Sequence, residues 1–426
     1  MRNTSVAILI VILLTTLACS TLSAQDLPTA KPEKVGLSSE RLEKVDTFVE
    51  SIIAGEKIAG AVTLVARHGK VAQFKTYGMM DRESGAPMRT DTIFRMASMT
   101  KPLTCAAAMS LYEDGLFLLS DSVSMYIPEF ANPMVLVPKS EENPNGPYTV
   151  PAEREITIRN LMNHTSGLTY RNPLLREYYE KAGVYDRSKP ENTIGDMVRA
   201  IATAPLLFNP GDDFEYSMSQ DVLGYLIEVV SGKTFAEVLR DRITEPLGMT
   251  DTFFYVPEEK LSRLVTLYRP NGDGGLDPAP KRPTETAPFG KRTYYSGGGG
   301  LYSTIGDYAR FAQMILNGGE LDGVSVLGKK TVELMMTNSI VPDEAYSAFR
   351  ANSGDKYGLG FGIRTERGEY DDLESIGTVM WDGAHHTRFW IDPEEDMIGI
   401  FMSQLSPRDW RLPGLFRNTV YQAIVE

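Results

Sequence analysis

Cysteine and histidine are scarce in this chain, and each scarcity closes off a class of function. Only Cys19 and Cys105 are cysteine, and only four of the 426 residues are histidine. If the N-terminus is removed on export, as argued below, Cys105 stands alone and no internal disulfide can form. Such a protein must rely on its core, which is feasible at this length. No His-x-His or His-Glu-x-x-His pattern occurs, so neither a metal nor another cofactor is expected. His385 and His386 are adjacent, and on a strand they would point to opposite faces. Basic residues are outnumbered, with 43 Lys and Arg against 56 Asp and Glu and a formal net charge of −13. Binding phosphates needs a basic face, so nucleic acid is not an expected partner, and the acidic balance reads as solubility. No Gly-x-Ser-x-Gly elbow exists, which counts against an α/β-hydrolase. Gly232-Lys233-Thr234 lacks the upstream glycine of a phosphate loop. There is no internal repeat, and no apolar run beyond the N-terminus could span a bilayer.

What is present reads as an exported globular protein. Arg2, the apolar run Val6 to Leu14 and the small residues ending at Ala24 form an export signal over residues 1–24. That points to a periplasmic or secreted protein. A lipoprotein site at Cys19 ranks second, because Thr16 stands where leucine is usual. The hydrophobic fraction of 42% and charged fraction of 23% are ordinary for a folded domain. Apolar residues at helical spacing from Leu42 to Ile53 predict a helix capped by Ser38 or Ser39. Ala61–Ala66 and Val71–Tyr77 predict a hairpin, and Ala97–Asp114 a buried helix stopped by Gly115. A helix is expected over 304–316. Strands are expected over Tyr357–Ile363, Thr387–Ile391 and Met397–Met402, and a last helix over Pro413–Ile424. Strands at both ends with helices between them predict an α/β (α+β) fold. Residues 25–90 and 290–426 would build one antiparallel sheet flanked by helices, and 91–289 a mostly helical lobe.

Ser98-Met99-Thr100-Lys101 is the first constellation with chemistry in it. Residues three apart share a helix face, so the Lys101 amine can reach the Ser98 hydroxyl. A serine needs a nearby base to become a nucleophile, and a desolvated lysine can serve. Alone the spacing is weak, because Ser353-Gly354-Asp355-Lys356 repeats it in a setting unsuited to a helix. Tyr216-Ser217-Met218 adds a phenol able to shuttle a proton. Trp381-Asp382-Gly383-Ala384, running into Thr387-Arg388-Phe389-Trp390, adds a strand edge. There Gly383 permits close approach, and the Ala384 amide could donate to an oxyanion. Each also has an ordinary structural reading: a capping serine, a half-buried tyrosine, a core tryptophan beside a bulge. His164 reads as a structural histidine, and Gly297–Gly300 as a tight passage rather than a phosphate cradle.

Four motifs in order carry a resemblance over residues from about 35 to the C-terminus. They are Ser98-x-x-Lys101 after Phe94-Arg95-Met96-Ala97, the run from Ile156 to Leu168 containing Asn163-His164-Thr165-Ser166-Gly167, Tyr216-Ser217, and Gly298-Gly299-Gly300-Leu301-Tyr302-Ser303-Thr304. Together they resemble the serine β-lactamase and penicillin-binding protein superfamily, class C β-lactamases in particular. They are closer still to the family VIII carboxylesterases. The resemblance implies Ser98 as acylated nucleophile, proton transfers shared by Lys101 and Tyr216, and an oxyanion hole of the Ser98 and Ala384 amides. The sequence departs from β-lactamases at two places. Trp381-Asp382-Gly383 replaces Lys-Thr-Gly, removing the cation expected to meet a β-lactam carboxylate. Met218 replaces an asparagine, offering an apolar contact instead. Both changes favour a neutral acyl ester, with Trp381, Gly383 and Met218 lining its site, while Arg388 could restore a positive charge for β-lactams. The expected function is hydrolysis of short-chain esters. A class C-like β-lactamase, a D-alanyl-peptide hydrolase or a catalytically silent relative that binds penicillins or peptidoglycan fragments are the alternatives.

Overall fold

The computed structural model describes residues 26–141, 143–184, 192–280, 293–340, 354–366 and 373–426. The expected export signal with Cys19, and Ser353 of the second Ser-x-x-Lys spacing, lie outside them. Eight strands form one antiparallel sheet: β1 (Gly60–Arg67), β2 (Lys70–Asp81), β3 (Ala86–Pro87), β4 (Asp355–Tyr357), β5 (Gly362–Arg364), β6 (Val379–Gly383), β7 (Thr387–Asp392) and β8 (Met397–Met402). Their spatial order is β4-β5-β6-β7-β8-β1-β2-β3, so the two ends of the chain meet where β8 pairs with β1.

Alternation along β1 explains why both sheet faces are covered. Ala61 and Val65 enter one apolar core, while Val62, Leu64 and Ala66 enter another. A strand buried on both faces needs a layer on each. The smaller core is closed by α1 (Ser39–Ala54), through Leu42, Val45, Val49 and Ile52, and by Phe416 and Val420 of the C-terminal helix (Arg411–Tyr421). Ser38 caps α1, accepting from the Arg41 amide at 3.2 Å. The larger core lies on the other face. It takes in α2 (Thr100–Glu113), α3 (Ser219–Ser231) and α4 (Ile305–Leu316), the last capped by Thr304. Every residue of α2 from Thr100 to Leu111 is buried. Its small residues Cys105–Ala108 are all fully buried, and the Cys105 thiol donates to Gln220 Oε1 of α3 at 3.3 Å.

Two expectations are corrected. The strand expected over Tyr357–Ile363 is two short strands, because a turn closed by the Gly358 amide on the Phe361 carbonyl (2.9 Å) folds the chain back. His385 and His386 lie in the turn between β6 and β7 rather than on a strand.

Candidate active site

Ser98 owes its position to the way the chain enters α2. Phe94–Arg95 pairs with Tyr302–Ser303, and the Met96 amide donates to the Leu301 carbonyl at 2.9 Å. Ala97 then adopts φ +45°, a left-handed conformation that costs a non-glycine residue about 1 kcal/mol. A 3-10 turn over Ala97–Met99 follows, so Ser98 stands just ahead of the α-helix proper, half-buried. Lys101, one turn on, is 0% exposed. Its Nζ donates to Ser98 Oγ at 3.2 Å and to the Gly298 carbonyl at 2.6 Å. It also lies 4.5 Å from the ring centroid of Tyr216 and 5.3 Å from that of Tyr170.

The segment leading into α3 presents Tyr216, and β6 presents Trp381. The Trp381 indole N–H donates to the Tyr216 hydroxyl oxygen at 3.3 Å, leaving the phenol its own proton to give. Around them the His164, Tyr170 and Trp381 rings lie 4.7, 5.4 and 5.5 Å from that of Tyr216. His164 Nδ1 accepts from the Ser217 amide at 3.2 Å, which assigns its proton to Nε2. Burial, and then the nearby Lys101, hold its pKa well below the usual imidazole value, so it is a neutral strut under Tyr216.

The glycine run supplies a wall that the sequence reading described only as a tight passage. A Cβ on Gly297 would strike the Gln220 carbonyl, and one on Gly298 would strike the Tyr170 hydroxyl and the Asp221 carboxylate. That closeness lets the Gly298 carbonyl reach Lys101. Buried Asp221 holds this stretch, accepting from Ser296 Oγ at 2.6 Å and from the Gly298 amide at 3.3 Å. Tyr170, Asp221 and the Gly298 carbonyl escaped sequence reasoning. A tyrosine two residues past Leu168, at the end of the second motif, was the one available signal.

Gly383 brings the β6–β7 turn against the segment that leads into Ser98. A Cβ there would collide with the Thr387 hydroxyl and the Met96 carbonyl. Gln404 ties the same regions together, its Nε2 donating to the Arg95 carbonyl (3.3 Å) and the His385 carbonyl (3.1 Å). Gly383→Ala is expected to cost about 1–3 kcal/mol of stability and to lower kcat about tenfold or more, because the turn must retreat from Ser98. Thermal melting and initial rates on one preparation check both. Ala384, next in the turn, is exposed.

Not every anticipated residue joins the cluster. Met218 is buried in the larger core at the start of α3, where its carbonyl accepts from the Asp221 amide at 2.9 Å. Arg388 is a correction. It pairs across the strands with Asp382, one residue out of step with Trp381, and so belongs to the other face of the sheet. Its guanidinium lies 3.5 Å from Asp382 Oδ1 and 3.3 Å from Met380 Sδ, not among Ser98, Lys101 and Tyr216. Among the described residues, no three His, Cys, Asp or Glu side chains converge as a metal site.

His386, at φ +74°, locks the turn from behind. Its Nδ1 meets Ser403 Oγ at 2.5 Å and its Nε2 the Asp409 carbonyl at 3.0 Å. Burial lowers its pKa from 6.5 to about 4. The folded protein therefore binds fewer protons at His164 and His386 than the unfolded chain does below pH 6.5. The contribution of these two histidines to stability must fall as pH drops through that window, while buried Asp307, whose carboxyl burial pushes up to about 6, contributes in the opposite sense. The His386 contribution is about 3 kcal/mol by pH 4. The difference in melting temperature between wild type and His386→Asn, which tolerates the left-handed backbone, should therefore shrink as pH falls from 7 to 4.5.

With this geometry in view, the comparisons with known proteins are consistent. Residues 45–422 match the family model described as Beta-lactamase. Protein Rv1367c of Mycobacterium tuberculosis is 34% identical over 362 residues, covering 82% of this chain and 86% of that protein. Esterase EstB of Burkholderia gladioli is 31% identical over 292 residues, covering 64% and 69%. The solved structure of EstCE1, described as a hydrolase with promiscuous acyltransferase activity, superposes with a TM-score of 0.75 at 27% identity, covering 90% of this chain and 99% of its own. A match over nearly the whole described length, and a serine–lysine–tyrosine cluster where the sequence places it, lead to one assignment: the chain belongs to the β-lactamase family of serine hydrolases.

Proposed function

We propose that the protein is a carboxylesterase acting on short-chain acyl esters through an acyl-enzyme on Ser98. The observation that carries this is the Trp381 indole. Where β-lactamases carry a lysine, it donates its N–H to Tyr216 and offers no charge to a substrate carboxylate. In this reading Ser98 Oγ attacks the ester carbonyl while Lys101 and Tyr216 take its proton. The carbonyl oxygen becomes an oxyanion facing the Ser98 and Ala384 amides, and the departing alkoxide leaves as the alcohol after receiving a proton from Tyr216. Water, activated beside Tyr216, then attacks the acyl carbon and releases the acid. The relatives named as esterases support the same chemistry, and the signal-like residues 1–24 support its taking place outside the cytoplasm.

Parallel steady-state assays on p-nitrophenyl butyrate and nitrocefin test it. Fast ester turnover with little nitrocefin turnover is the expected result. Dominant nitrocefin turnover would make the chain a β-lactamase. Stoichiometric labelling by penicillin, with turnover of neither substrate, would make it a silent binder.

A further inference from the structure

Arg408 is a cation beside the candidate site that no sequence motif singled out. It sits in the segment between β8 and the C-terminal helix, with its guanidinium over the ring of Trp410. Its Nη1 donates to the Gly383 carbonyl at 2.8 Å, and the His386 amide donates to the same oxygen at 3.1 Å. His386 in turn meets the Asp409 carbonyl through Nε2 at 3.0 Å, so the Arg408 segment and the turn are held as one unit.

The oxygen that Arg408 contacts belongs to a particular peptide. In a trans peptide, the carbonyl of Gly383 and the N–H of Ala384 lie on opposite edges of one plane. A cation bonded to the carbonyl draws electron density away from the N–H and makes it a stronger donor. Two donors on that carbonyl also fix the plane, so the N–H need not reorganise when charge develops opposite it. We propose that Arg408 is a positioning residue for the oxyanion hole, holding and polarising the Gly383–Ala384 peptide from its carbonyl side. This rests on the acyl-enzyme reading above, in which the Ala384 amide is one of the two oxyanion donors. Arg408 itself touches no reacting atom.

The test uses the whole mature protein, Arg408→Met and Arg408→Lys, with Ser98→Ala alongside. On p-nitrophenyl butyrate, Arg408→Met is expected to lower kcat about 10- to 100-fold while KM changes less than about threefold. Butylboronic acid, whose adduct on Ser98 is a tetrahedral anion, should lose affinity by a similar factor. Butanone, a neutral ligand of similar length, should not. Arg408→Lys keeps a charge but loses the planar fork, and should recover part of the rate and of the boronate affinity. A merely structural arginine would change the melting temperature without making the boronate affinity follow kcat. If Arg408→Met does not fold, Arg408→Lys carries the same comparison with a smaller expected loss. A kcat within about twofold of wild type, or a fall in kcat with boronate affinity intact, overturns the proposal. Activity surviving in Ser98→Ala would remove the acyl-enzyme reading and this inference with it. An inactive Ser98→Ala beside an unaffected Arg408→Met removes only the role of Arg408.

Discussion

Ser98→Ala is expected to lower kcat/KM for p-nitrophenyl butyrate about ten-thousand-fold or more while leaving the melting temperature within about 2 °C. On the proposed reading the activity loss follows from covalent catalysis: without Oγ there is no acyl-enzyme, and the remaining donors stabilise an oxyanion that is seldom formed. The small effect on stability follows from the surroundings. Ser98 is half-buried, and Lys101, its partner at 3.2 Å, keeps the stronger 2.6 Å bond to the Gly298 carbonyl. Removing one hydroxyl from such a site opens no core cavity. Initial-rate assays and thermal melting of one preparation read both. Full activity in the variant would show that the cluster around Ser98 is not where the chemistry occurs.

How much of this was legible before the structure depends on the kind of signal each residue gives. Periodicity revealed α1, the β1–β2 hairpin, α4 and the C-terminal strands, because each buries one regular face or two. Ser98 and Lys101 were legible because a three-residue spacing fixes a face even across the 3-10 turn that precedes α2. Tyr216 came from motif order and Trp381 from the strand edge at Gly383, but the bond between them did not, since nothing in either segment announces the other. The Gly298 carbonyl is the hardest case. It reaches Lys101 from 197 residues away through the backbone, and a backbone group leaves no mark on residue type. Arg388 failed for a different reason. Its face depends on strand register, and one step separates Arg388, opposite Asp382, from Phe389, opposite Trp381. The cation near the turn is Arg408, on a segment without periodicity.

Lys101→Met should move activity and stability in opposite directions. The Lys101 amine belongs to a fully buried side chain. It is held by the Ser98 hydroxyl, one carbonyl and two aromatic faces. A buried polar group held so sparsely is costly, and a thioether of similar length fills the space without that cost. The gain is offset by leaving the Gly298 carbonyl without its donor, so the net is about 1 kcal/mol in favour of the variant. On the proposed acyl-enzyme reading, the same substitution removes a proton acceptor from beside Ser98 and should lower kcat/KM about a thousandfold. Melting temperature rising while ester hydrolysis collapses would identify Lys101 as retained for chemistry at the expense of stability. A variant that melts earlier and keeps its activity would make Lys101 a structural strut, leaving Tyr216 as the base; Tyr216→Phe, measured in parallel, would then be the variant that loses turnover.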